Sequence, residues 1–133
     1  MISVFIISHS EIANSFAYCL EHIMSKRVDN LVILPVKKAE APDNIIARAK
    51  EIIERQLTKA DGVLIFGATP SNIATELIQS GRIELITGLN LPMLIRAISY
   101  SSQGLDLCVA KAMEGGINGI IHVQGEINVN PTN

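Results

Sequence analysis

Apolar and polar positions follow two patterns along the chain, one typical of strands and the other of helices. The segment Ile2–Ser8 is short and almost wholly β-branched, aromatic or otherwise apolar, which predicts a strand buried on both faces. Apolar residues at helical spacing come next: Ile12, Phe16, Cys19, Leu20 and Ile23. Ser10 stands where a short polar side chain caps a helix, so the strand is expected to turn directly into a helix.

The alternation of strand and helix repeats along the rest of the chain. Further strands are predicted over Asn30–Val36, Gly62–Phe66 and Arg82–Thr87. Further helices are predicted from Pro42-Asp43 onward, from about Pro70 to Gln79, near Leu91–Tyr100 and over Leu105–Glu114, before a last apolar run, Gly119–Val123.

Strands that alternate with helices over short connections predict a parallel sheet with helices on both faces, because parallel neighbours need crossover connections. At 133 residues the chain has the size of one domain. We therefore expect a single doubly wound α/β domain over residues 1–123, with a mainly parallel four-stranded sheet in the order 2-1-3-4. A polar C-terminal tail is expected over residues 124–133.

Composition narrows the possible partners and surroundings. The net charge is -2, and the longest basic runs are the pairs Lys26-Arg27 and Lys37-Lys38, which disfavours nucleic acid and anionic membrane as partners. No apolar run approaches the roughly 20 residues of a membrane helix, and no charged signal start precedes Lys26, so we expect no membrane insertion and a cytoplasmic location. Cys19 and Cys108 lack metal-ligand spacing and fall on apolar stripes, so both are expected to be inert core thiols.

His9 is the most informative candidate residue. Ligands of open α/β sheets bind at the carboxyl ends of the strands, and His9 ends the first predicted strand. Imidazole is a good nucleophile that is partly neutral near pH 7, although a histidine here also fits a merely structural role at the helix start. His22 and His122 lack such a setting and are expected to be structural or surface residues.

The loop after the third predicted strand, Phe66–Asn72, leads into a helix and is the second candidate. Gly67 allows close backbone approach, while Thr69, Ser71 and Asn72 carry short hydrogen-bonding side chains. Together with backbone amides at the helix start, these residues suit a phosphate, although an ordinary helix N-terminus capped by Thr69 fits equally well. No P-loop, no G-x-G-x-x-G motif and no metal-ligand pair occurs in the sequence.

Three segments together carry a family resemblance: Ser8-His9-Ser10, the loop Phe66–Asn72 (F-G-A-T-P-S-N) and Gly88–Leu94 (G-L-N-L-P-M-L). In order and spacing they resemble the IIA component of the mannose-type (mannose/fructose/sorbose) sugar phosphotransferase system, over residues 1 to about 123. The resemblance implies that His9 accepts a phosphoryl group from the histidine phosphocarrier protein and passes it to a IIB partner. It also implies a homodimer in which the C-terminal strand, here Gly119–Val123, crosses to the other subunit.

The phosphate-binding residues expected on this basis are Ser10, Gly67, Thr69, Ser71 and Asn72, with no metal and no organic cofactor.

The sequence departs from the family at one position. Members usually carry a Thr-Asp pair just before the F-G-x-T-P-S-N loop, and that Asp hydrogen-bonds the active histidine. An alignment without gaps places Leu64 there, and the alternative is a short deletion between Leu64 and Ile65. Neither alignment leaves a carboxylate, since Asp61 is expected at the opposite end of the strand.

The missing Asp keeps a second function open. The leading hypothesis is a phosphohistidine carrier, and the alternative is a regulatory or binding domain of the same fold with weak or no phosphoryl transfer. A flavodoxin-type ligand domain is disfavoured, because the chain has no Trp and only two Tyr for stacking on a flavin.

Overall fold

In a computed structural model that describes residues 1–67 and 75–125, four strands alternate with four helices. The elements are, in chain order, β1 (Ile2–His9), α1 (Ser10–Met24), β2 (Leu31–Val36), α2 (Pro42–Leu57), β3 (Gly62–Gly67), β4 (Ile83–Thr87), α3 (Leu91–Ser99) and α4 (Leu105–Asn118). No helix in these two ranges is long and apolar enough to cross a membrane.

The strands form one parallel sheet in the order β2-β1-β3-β4. The predicted doubly wound α/β class and strand order are therefore confirmed. In the register of the sheet, Ile7 of β1 lies opposite Gly67 of β3, and His9 lies opposite Val36 of β2. The carboxyl ends of the two central strands and of β2 thus meet at one edge.

Side chains of the central strands alternate between two cores on opposite faces of the sheet. Val4 and Leu64 belong to a core that also includes residues of α1, α3 and α4. Phe5 and Ile65 belong to a second core, which includes residues of α2. Both faces of β1 and β3 are covered, which is why these strands are apolar at nearly every position.

Helices α3 and α4 pack closely against each other. Asn90 caps α3, because its Oδ1 accepts the backbone N–H of Met93 at 3.0 Å, while its Nδ2 donates to the carbonyl oxygen of Gly116 at 3.0 Å. A Cβ atom at Gly115 would lie 3.0 Å from the carbonyl oxygen of Pro92, a distance real Cβ atoms rarely show. Glycine at this position allows the two helices to approach.

The start of α1 and the helix before β4 differ from the sequence-based expectations. Ser10 does not cap α1: the helix begins at Ser10, the N-cap is His9, and no side chain caps it. The helix expected from about Pro70 lies mostly outside the described residues. Its expected end at Gln79 is wrong, because the residues after 75 form a turn and Gln79 exchanges backbone hydrogen bonds with Ile83.

The C-terminal end of the described chain differs as well. Helix α4 continues to Asn118, four residues beyond its expected end at Glu114. Residues 119–125 belong to no helix or strand within this chain, and Ile120, Ile121 and Val123 are exposed. The exchange of this segment between subunits stays a prediction.

The two cysteines differ in their surroundings. Cys108 is fully buried, and its thiol donates to the carbonyl oxygen of Ala97 at 3.3 Å. Burial raises the pKa of the Cys108 thiol to about 11. Cys19 is exposed on α1, so its assignment to the core is wrong. The helical spacing of the apolar residues on α1 does not by itself show which of them another element covers.

Candidate functional site

His9 lies at the carboxyl end of a central strand and at the start of a helix. The strand β1 is buried almost to its end, but His9 itself is exposed. Its backbone angles, φ -50° and ψ 143°, turn the chain from β1 into α1. Among the described residues no side chain caps the first amides of α1, and the positive end of the helix dipole lies at His9. This position suits a nucleophile that carries an anionic group.

The other predicted site residues are only partly within the described chain. Ser10 is the half-buried first residue of α1. Gly67 is the last residue of β3, and it lines the same cavity as His9. Thr69, Ser71 and Asn72 lie outside the described residues, so their part in the site stays a prediction.

A cavity of about 340 Å³ opens beside His9 at the carboxyl edge of the sheet. Its polar lining comes from Ser8, His9, Lys37, Lys38 and Glu40. Its apolar lining comes mainly from Ile7, Val36, Ile45, Ile65, Leu77 and Leu85. The cavity therefore combines a charged rim with an apolar floor.

Sequence reasoning missed four of the polar residues in this lining: Ser8, Lys37, Lys38 and Glu40. A signal for the two lysines was available, because they follow β2 directly and the carboxyl ends of parallel strands share one edge of the sheet. In the sequence the two lysines are only a short basic run, and a run of two charges is weak evidence for a binding site. Ser8 belongs to the Ser8-His9-Ser10 segment that carries the resemblance, but the sequence assigned no role to its side chain.

Glu40 holds the turn that carries the two lysines. The backbone N–H of Glu40 donates to the carbonyl oxygen of Lys37 at 3.1 Å, and the Lys37 N–H lies 3.4 Å from Glu40 Oε1. Arg48 of α2 donates to the other carboxylate oxygen of Glu40 and lowers the pKa of that carboxyl below its usual range. The turn is thus anchored to α2, and the Glu40 charge is matched by Arg48.

Ser8 contributes a buried hydroxyl without a partner. The residue is 2% exposed, and its Oγ has no hydrogen-bond partner in the part of the chain that the structure describes. Buried hydroxyls are normally hydrogen-bonded, because losing water without replacing it is unfavourable. The Oγ atom is closed to solvent, so Ser8 lines the cavity with its other atoms.

Neither Leu64 nor Asp61 supplies the family Asp beside His9. Strand β3 is continuous over its six residues, but residues 68 and 69 lie outside the described chain, so the backbone up to Thr69 does not decide between the two alignments. Leu64, however, is fully buried opposite Val4, five residues before His9 on β1. At about 3.3 Å per residue that separation is roughly 16 Å, too far for contact with the imidazole. Asp61 lies at the other end of the sheet, where it pairs with the amino group of Met1.

The two other histidines do not line the cavity beside His9. His22 is an exposed residue of α1, with its ring stacked on Tyr18 at a centroid distance of 6.3 Å. His122 is exposed in the segment after α4. Within residues 1–67 and 75–125, no group of three His, Cys, Asp or Glu residues could hold a metal ion.

Comparison with known proteins agrees with the fold. A family model described as "PTS system fructose IIA component", of the mannose-type IIA class, matches residues 3–113. The chain belongs to this family of sugar phosphotransferase system (PTS) IIA components, and membership implies a phosphotransferase role in general terms. Comparison with curated proteins gives no match.

Solved structures share the fold at low sequence identity. The mannose/sorbose-specific IIA subunit of Enterococcus faecalis superposes with a TM-score of 0.81 at 14% identity, covering 96% of this chain and 98% of that one. The component EIIA of Streptococcus agalactiae gives 0.77 at 18% identity, with 92% and 97% covered. A sigma-54 interaction domain protein from Enterococcus faecalis gives 0.74 at 14% identity, with 89% and 92% covered.

Proposed function

We propose that the chain is a phosphohistidine carrier of a sugar phosphotransferase system, with His9 as the phosphorylated residue. The observation that carries this proposal is the placement of His9, exposed at the carboxyl end of β1 and at the uncapped start of α1. Family membership supports the reaction class, and the geometry supports the residue.

The chemistry is an exchange of one phosphorus–nitrogen bond for another. A neutral ring nitrogen of His9 attacks the phosphoryl group of the phosphorylated histidine phosphocarrier protein. A P–N bond forms to His9 while the P–N bond of the donor histidine breaks, and the electron pair leaves with the donor ring. In a second exchange His9 is the donor: its P–N bond breaks as a IIB component takes the phosphoryl group.

Amides at the start of α1 stabilise the phosphoryl oxygens in this proposal, because they have no intrahelical acceptors and the helix dipole favours an anion there. Ser10 and Gly67 are placed at the same edge of the sheet as His9. Thr69, Ser71 and Asn72 complete the predicted phosphate-binding set.

The test is phosphorylation of the purified chain by phosphoenolpyruvate, the activating enzyme and the phosphocarrier protein. One acid-labile phosphate per chain is expected on His9, and His9→Ala should abolish it. His22→Ala and His122→Ala are matched controls, because both side chains are exposed and neither lines the cavity. Label that persists in His9→Ala would contradict the assignment.

A regulatory or binding role is the second candidate function, and the buried position of Leu64 favours it. Leu64 supplies no carboxylate that could fix the tautomer of His9, so transfer is expected to be slow. The fold is shared with a sigma-54 interaction domain protein, which supports the same alternative. Chase experiments with a IIB component distinguish the two: a carrier loses its label to IIB, whereas a regulatory domain retains it.

The proposed assembly is a homodimer held by exchange of residues 119–123. Ile120, Ile121 and Val123 are between 72% and 82% exposed in the single chain, and such apolar side chains are usually covered in an assembly. Sedimentation should therefore show a dimer, and removal of residues 117–133 should give monomer or aggregate. A well-folded dimer after truncation would exclude this interface.

A further inference from the structure

The cavity beside His9 has features that phosphoryl transfer does not require. Its volume of about 340 Å³ and its apolar floor exceed what a phosphoryl group needs, because that group presents only polar oxygens. Small-molecule sites typically begin at about 300 Å³ and combine apolar walls with a few polar groups. The cavity beside His9 fits this description.

Its polar groups favour an anion. Lys37 and Lys38 are exposed and line the cavity, and neither forms an ion pair with a carboxylate within the described ranges. The nearest acid of the turn, Glu40, is matched by Arg48, so the rim keeps its positive charge. The Glu40 hydrogen bonds hold the backbone of this turn in place, which lowers the cost of presenting both ammonium groups to one ligand.

Ser8 lies at the inner side of the cavity. The residue lines the cavity, but its Oγ is closed to solvent, so the polar recognition of a ligand falls to the rim and not to this hydroxyl.

We propose that this cavity binds a small anionic molecule, with a phosphate or carboxylate group held by Lys37 and Lys38 and a compact body on the apolar floor. Binding does not depend on phosphorylation of His9. Because His9 lines the same cavity, an occupied cavity blocks access to the imidazole, and the domain thereby senses the ligand.

Phenyl phosphate is the first probe, since it joins an anion to an apolar ring. Inorganic phosphate and benzyl alcohol represent its two halves. Calorimetry and amide chemical-shift titration of the unphosphorylated full chain should show saturable binding of phenyl phosphate, at least tenfold tighter than either half. The shifted amides should include those of Ser8 and Ile65.

Two sets of variants separate the rim from the floor. The double substitution Lys37→Gln/Lys38→Gln should weaken phenyl phosphate binding roughly tenfold or more, because charge-assisted hydrogen bonds are lost. Lys26→Gln/Arg27→Gln is the matched control, since it makes the same change of charge at exposed positions that do not line the cavity. Val36→Phe fills the floor and should weaken phenyl phosphate but not inorganic phosphate. Leu85→Phe repeats this test at another half-buried position, should Val36→Phe fail to fold.

The proposal is overturned if phenyl phosphate does not bind saturably below about 10 mM, or if inorganic phosphate binds as tightly. Equal weakening by both double substitutions would show nonspecific charge attraction, and unchanged affinity in the floor variants would place the ligand outside the cavity. Absence of label on His9 would contradict the proposed carrier function while leaving these binding results intact.

Discussion

An ungapped alignment places Leu64 where the family carries its Asp. The substitution Leu64→Asp tests whether a carboxylate at this position can act as the partner of His9. Leu64 is fully buried, opposite Val4 in the middle of the sheet, in the core shared with α1, α3 and α4. We expect Leu64→Asp to lose the fold rather than to gain transfer activity, because a carboxyl group at this depth has neither water nor a partner.

The magnitude follows from two losses. Truncation of a buried leucine costs about 2–5 kcal/mol, and burial of an unpaired polar group adds roughly 1–3 kcal/mol by protein mutational data. The sum is about 3–8 kcal/mol, against a typical domain stability of about 5–15 kcal/mol. Leu64→Met is the matched control, and as a volume-conserving change it should cost less than about 1.5 kcal/mol.

The loss should also depend on pH. Burial raises the pKa of a carboxyl, so a carboxyl at position 64 stays protonated in the folded state while it ionises in the unfolded state above about pH 4. The deficit of Leu64→Asp relative to the wild type should therefore grow with rising pH, by up to about 1.4 kcal/mol per unit, until the folded pKa is reached.

Urea unfolding followed by circular dichroism at several pH values measures these differences, and the phosphocarrier assay measures transfer. A folded Leu64→Asp protein of nearly wild-type stability that labels His9 faster than the wild type would refute the reasoning. In that event the register of β3 against β1 would differ from the one described here.

Three further predictions concern the thiols and the α3–α4 contact. Iodoacetamide at pH 8 should label Cys19 alone in the native protein and both cysteines in urea, since burial raises the pKa of Cys108 to about 11; native labelling of both would contradict its burial. Asn90→Ala should cost about 1–2 kcal/mol in urea unfolding through loss of the α3 cap, whereas the exposed Asn118→Ala should change little. Gly115→Ala should destabilise by about 1–3 kcal/mol through the clash with α3, and a neutral or stabilising result would exclude the close approach.

Much of the site was accessible from sequence because its main residue breaks a local pattern. His9 ends a run of buried apolar residues, and Gly67 ends another, so both marked the carboxyl edge of a parallel sheet. Lys37 and Lys38 were harder to assign, because two exposed lysines after a strand resemble an ordinary solvated turn. They become candidates for ligand binding only because Glu40 holds their turn and because they line a cavity. Both features depend on contacts between different elements.

Local pattern predicted less well where an element ends or where its face is only partly covered. Ser10 has the side chain of a cap, yet the helix already begins there and His9 takes the capping position. Cys19 follows the apolar period of α1, yet it is exposed. In both cases packing, which the local pattern does not report, decides the outcome.

The local pattern of the sequence predicted the order of strands and helices, the parallel doubly wound class and the histidine at the edge of the sheet. These features are encoded locally, since the period of apolar residues reports which faces are buried. Tertiary packing set the register of β3 against β1, which places Leu64 about 16 Å from the level of His9. It also decided the meeting of Ser8, Lys37 and Lys38 around one cavity, because residues that are distant in sequence become neighbours only when parallel strands align their carboxyl ends.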